Sequence, residues 1–199
     1  ADLGVLQLHA GDIQADAVAE AAKATDAAIA TLENDTQKNE YNTLITSAKT
    51  TFEGVVAVTG GTAATAPAEV TSALNTYKQA ITKAAADAKL TKLDTVTVTL
   101  NTTGLKAGSA LPTASVTDGA DVSLEWKKNG TTFSGSTFDA ATSGSDPVVA
   151  WTVVVTVTPA ENYRIANDAT VKVGSENLTE NAGTWSATLT ITVGAADTP

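Results

Sequence analysis

Few side chains in this sequence can do chemistry, and their spacing limits what they can do. His9 is the only histidine, and cysteine is absent. A Ser-His-Asp triad, a histidine-based zinc site and a thiolate nucleophile all need partners that the chain does not contain. Carboxylates are plentiful, and Asp118 with Asp121 is the pair best spaced for glycoside hydrolysis. That reaction needs two carboxyls about 5–9.5 Å apart around a sugar. These two flank a turn signal at Asp118-Gly119, where acids are ordinarily solvated; their other use is a weak calcium site made of turn oxygens. Lys106, Lys127, Lys128 and Lys172 lie on or near strands with asparagines close by. A lysine–asparagine crosslink also needs an adjacent buried acid, and no spacing marks out such a triad. Asn34, Asn101, Asn129 and Asn177 each begin an Asn-x-Ser/Thr sequon, which matters in a host that glycosylates asparagine. The reading is no catalytic group, no cofactor and no metal.

Aromatic rings are the remaining binding chemistry, because a sugar platform needs ring faces open to solvent. Trp126, Trp151 and Trp185 are each in phase with the large apolar residues of their own strands. Side chains alternate between faces along a strand, so this parity sends all three tryptophans inward. Phe133, Phe138 and Tyr163 lie near loops and are the candidate ligand contacts.

The elements that position these rings begin with Val148–Val157, a run of β-branched and aromatic residues between Pro147 and Pro159. It reads as a long central strand with Val149, Trp151, Val153, Val155 and Val157 on its core face. Around it stand Asp94–Leu100, a strand through Val122, Leu124 and Trp126, the Asn129-Gly130 hairpin signal, Ala169–Val173, and Thr184–Val193. Short strands at this spacing predict an antiparallel sandwich.

The first half of the chain has helical periodicity instead. Asp12 reads as the cap of a helix through Leu32, and Asp35 or Thr36 as the cap of a second helix to Val56, closed by Gly60-Gly61. Thr62–Ala66 reads as a loop, and Pro67 opens a third helix to about Lys89. Three amphipathic helices with short loops predict an up-down-up bundle. The hydrophobic period switches at about residue 92, giving a helical domain over 1–92 and a β domain over 93–199.

A formal charge of −10 and a pI near 4.4, with Arg164 the only arginine, exclude nucleic acid, which needs clustered cations. No apolar run reaches the roughly 20 residues of a membrane span. The Ala1-Asp2-Leu3 start fits a processed or excised chain, and the Thr-, Ala-, Gly-, Asn- and Val-rich composition reads as that of a bacterial secreted surface protein.

Two resemblances follow. Tyr41, Leu44, Ala48 and Val55, then Glu69-Val70, Ala73-Leu74, Tyr77 and Ala80-Ile81, resemble the FIVAR repeat of bacterial extracellular proteins, which implies a small helical spacer or binding module. Phe138, Trp151–Pro159, Asn162-Tyr163, Asp168–Gly174 and the closing Thr-alternating strand resemble bacterial Ig-like surface repeats, as in adhesins and S-layer-type proteins. This implies a modular, non-catalytic segment, with Trp126 in the place of the core tryptophan of such a sandwich.

The combined expectation is α + β in two separate domains: a three-helix bundle followed by an antiparallel Ig-like β-sandwich. Its function would be that of a structural module of a bacterial cell-surface or filament protein, located extracellularly. Its partners would be other subunits or neighbouring modules, and glycans under the alternative of a carbohydrate-binding module. The apolar leader Leu3, Val5, Leu6 and Leu8 is the candidate self-association segment, either added to a sheet edge of a neighbour or packed as an extension of the first helix.

Overall fold

The computed structural model describes residues 3–59, 62–63, 67–142 and 149–197, with side chains at 12–57, 67–142 and 149–197. The chain divides into two compact units, Ala1–Leu90 and Thr91–Pro199.

The first unit holds three helices, α1 (Leu3–Ile29), α2 (Asp35–Val56) and α3 (Pro67–Asp87). α1 and α2 each pack mainly against α3. Their shared core includes Ala17, Ala21, Tyr41, Ile45, Phe52, Val70, Tyr77 and Ile81. Asp12 does not cap α1, which already runs from Leu3. The reason is visible in the spacing: Leu3, Leu6, Ala10, Ile13 and Ala17 continue one three-and-four stripe across Asp12, so nothing stops the helix there. The side chains of the leader, Leu3, Val5, Leu6 and Leu8, lie outside the described residues.

The cap of α2 is Asn34 rather than Asp35 or Thr36. Its backbone is extended (φ −148°, ψ 170°) and its Oδ1 accepts from Gln37 N–H at 2.9 Å. Gln37 Oε1 in turn accepts from Glu33 N–H at 2.8 Å, so two donors at the helix entrance are satisfied reciprocally. α2 ends at Val56 because Ala57 turns extended. Part of the stretch expected as a loop is paired: β1 (Val58–Thr59) joins β2 (Thr62–Ala63) antiparallel. Gly60 and Gly61 lie outside the described residues.

The second unit contains β3 (Thr91–Leu100), β4 (Ala114–Val116), β5 (Ala120–Lys128), β6 (Thr131–Thr132), β7 (Trp151–Pro159), β8 (Tyr163–Val173), β9 (Glu176–Asn177), β10 (Thr179–Asn181) and β11 (Thr184–Ile191). They form two sheets, in order β10-β11-β7-β5-β6 and β4-β3-β8-β9. β7 is central in the first, flanked by β5 and β11 along its length. Trp151, Val153, Val155 and Val157 are each 0% exposed, the face that the parity of this run predicts. Both sheets feed one core, with Val96, Val98, Val171 and Val173 contributed by the second.

One pairing departs from the all-antiparallel expectation. β3 and β8 are parallel, with Thr91 opposite Tyr163 and Val98 opposite Val173. Parallel neighbours need a long crossover, and here the whole of β4 to β7 supplies it. β8 is also longer than the Ala169–Val173 expectation. It starts at Tyr163 and carries a register shift, in which Leu93 pairs Ile165 but Thr95 pairs Thr170. That irregular stretch hides its alternation from the sequence.

Candidate functional site

The aromatic side chains of the second unit converge on β7. Trp151 donates its indole N–H to Ala140 O at 2.9 Å. Phe138 meets it edge-on at 5.0 Å and Phe133 at 4.8 Å, while Trp126 meets Phe138 at 5.4 Å, all near 85°. Edge-to-face contacts of this kind add about 0.5–1.5 kcal/mol each beyond area burial. Trp126, Trp151 and Trp185 are all buried, as their strand parity predicts.

Of the three rings expected near ligand, Phe138 is 1% exposed and lies within the core, so no face of it meets solvent. Phe133 and Tyr163 are partly exposed, but each has a glycine pressed against it. A Cβ at Gly135 would lie 2.3 Å from Phe133 Cζ, and one at Gly119 would lie 2.4 Å from Tyr163 Cδ1. Gly119 also has φ +88°, a conformation that side chains rarely adopt.

The charged candidates sit apart. Asp118 and Asp121 are exposed at the turn into β5. Lys128 bonds Asp139 at 2.7 Å and lies 6.0 Å from the Trp151 ring centroid, and Lys106 pairs with Asp197. These are exposed ion pairs with no buried acid beside them among the described residues, so a lysine–asparagine crosslink finds no geometry there. Glu125 is held below the ordinary carboxylate range, first by the hydrogen bond from Thr132 Oγ1 at 2.5 Å and further by Lys127. His9 lies outside the residues whose side chains are described. Among the described residues, no three His, Cys, Asp or Glu side chains come together as metal ligands. No described helix is long and apolar enough to cross a membrane.

Two clefts in the helical unit escaped the sequence reading. One of ≈ 730 Å³ opens between α2 and α3, and another of ≈ 680 Å³ between α1 and α2. Phe52 and Tyr77, stacked at 5.1 Å and 11°, line both. The signal was there in small residues beside the rings: Ala48, Gly54 and Ala73 on one side, Ala21 and Ala22 on the other. Tyr77 Oη shares a hydrogen bond with Thr25 Oγ1 at 3.2 Å. Tyr41 is fully buried, its hydroxyl has no partner among the described residues, and burial, followed by the neighbouring Tyr77, pushes it up to about 12. The Gln14 amide is likewise buried with no partner among the described residues. These groups bring polarity into the helical core, but among the described residues they assemble no acid, base and nucleophile.

Compared with protein families, characterised proteins and solved structures, the chain matches none.

Proposed function

We propose that this chain is a non-catalytic structural module of a bacterial extracellular surface or filament protein. On this reading the helical unit is a FIVAR-like three-helix bundle, and the second unit is an Ig-like β-sandwich. The observation that carries it is where the aromatic surface goes. Trp126, Trp151, Trp185 and Phe138 are buried in the core, and the partly exposed Phe133 and Tyr163 are pinned under glycine backbone. A sugar platform needs free ring faces, and this unit uses its rings for cohesion instead. Two sheets that share one core support the sandwich reading. Assembly through the leader Leu3–Leu8 is part of the proposal.

Affinity electrophoresis in gels containing cell-wall polysaccharides tests the reading against a carbohydrate-binding module. The structural module migrates equally with and without glycan. Retardation that disappears in Tyr163→Ala or Phe133→Ala, with the fold retained, would make the chain a carbohydrate-binding module.

A further inference from the structure

We infer that the open edge of β11 is a docking slot for an extended peptide whose centre is uncharged and which carries a basic residue at the end beside β10. The inference stands apart from the surface-module reading, since it rests on how β11 is paired and on the exposed Thr188, Thr190 and Thr192, whatever the chain's role. β10 and β11 are joined by Ala182-Gly183, both at positive φ, with Asn181 opposite Thr184. In a two-residue hairpin the residues flanking the turn bond each other. Thr184 and Ser186 therefore direct their main-chain groups to β10. The period of two then sends Trp185, Ala187, Leu189 and Ile191 toward β7, and Thr188, Thr190 and Thr192 toward the open side. Gly194 keeps the same parity, and its N–H and C=O bond Leu105 O at 2.7 Å and Ala107 N at 2.9 Å. Among the described residues no strand pairs with that side of β11 between Ser186 and Gly194.

The other long edges are guarded and this one is not. β5 carries Asp121 and Glu125 along its open stretch. β3 carries Lys92 and Asp94, and β8 carries Arg164 and Asp168 together with its register shift. Charges and bulges are the usual means of keeping an edge from pairing. Ala187–Thr192 has no charge and no proline. Beside it lies a cleft of ≈ 520 Å³ lined by Leu100, Val173, Leu189 and Ile191 with Thr188 and Thr190. An added strand gains affinity from its main chain and places alternate side chains in such a cleft.

The ends of the slot select the occupant. β10 blocks it below Ser186, and Leu105–Ala107 blocks it at Gly194. A second β11 would bring its own β10 into the space held by residues past Thr192, so the chain cannot pair this edge with itself. Glu176 lines the cleft and Glu180 stands on β10, and neither joins an ion pair among the described residues. Glu180 marks the β10 end of the slot, whereas the Gly194 end carries Lys106, already paired with Asp197. On a chain of net charge −10, the two glutamates favour a basic residue at the peptide end beside β10.

Amide hydrogen exchange of the full chain by NMR tests this, with the capped synthetic peptide KTVTVTK as probe. In the free protein the amides of Thr188, Thr190 and Thr192 exchange quickly, while Ala187, Leu189 and Ile191 are protected. Adding the peptide slows Thr188 and Thr190 at least tenfold. Thr190→Pro removes one outward donor without touching the β7 ladder and abolishes that protection. Replacing the peptide's lysines with glutamates weakens binding at least tenfold at low salt. No slowing at millimolar peptide, or fast exchange missing from the free protein, would overturn the slot. Equal affinity for the glutamate-ended peptide would overturn the charge selection. Protection that rises with protein concentration alone would assign the edge to a second copy instead.

Discussion

Trp151 shows how much one position can hold. It is 0% exposed, donates to Ala140 O, and has Phe133 and Phe138 against it. Trp151→Ala should cost about 3–5 kcal/mol in denaturant unfolding, with the slope unchanged. Tyr41 makes a different prediction. Its ionisation in the folded state is raised to about 12, against an ordinary value near 10. A raised acid is neutral in the fold while the unfolded chain ionises, so its stabilisation is complete below pH 10. It is then lost at about 1.4 kcal/mol per pH unit as pH climbs from 10 to 12. The difference in stability between the wild type and Tyr41→Phe should be flat below pH 10 and then fall through that window; a flat difference throughout would mean that the hydroxyl is solvated. The tryptophans were legible because each sits in a periodic strand. Phe138 was not: Thr137 and Asp139 surround it with no alternation. Its inward position comes from pairing with a distant loop, through Gly108 N–H to Phe138 O at 2.7 Å and Phe138 N–H to Ser109 O at 2.9 Å.

Helices and strands were read well where a stripe or alternation is unbroken, and poorly at their ends. α2 had three adjacent residues able to cap it, and Asn34 takes the role because its side chain reaches Gln37 N–H. Asn34→Ala should lower stability by about 1 kcal/mol, seen as a lower Tm of the helical signal in circular dichroism, whereas Thr36→Ala should leave it nearly unchanged. The parallel β3–β8 pair could not be read from either strand, because alternation records which face is buried and not which neighbour lies beside it. The clefts beside Phe52 and Tyr77 were hidden for a related reason. An amphipathic stripe marks a face as apolar, but small residues on that face decide whether a neighbour fills it.

For the whole molecule, the change of hydrophobic period near residue 92 and the division between Leu90 and Thr91 fall close together. A fragment of residues 91–199 should give a cooperative β-type melt by circular dichroism; a soluble but unfolded fragment would mean that the helices complete its core. The structural-module proposal adds that full chains associate through Leu3–Leu8, where α1 begins. Two of the residues around this segment, Gly4 and Gly11, are poor helix formers, each costing about 1 kcal/mol relative to alanine. The first turns of α1 can therefore be given up to a neighbour at lower cost than the rest of the helix. Light-scattering mass of the full chain against a chain lacking residues 1–10 tests this most directly. The account predicts a mass that grows with concentration in the full chain and a monomer in the shortened one. An unchanged mass with a lowered Tm would contradict it and leave the leader as a plain extension of the helix.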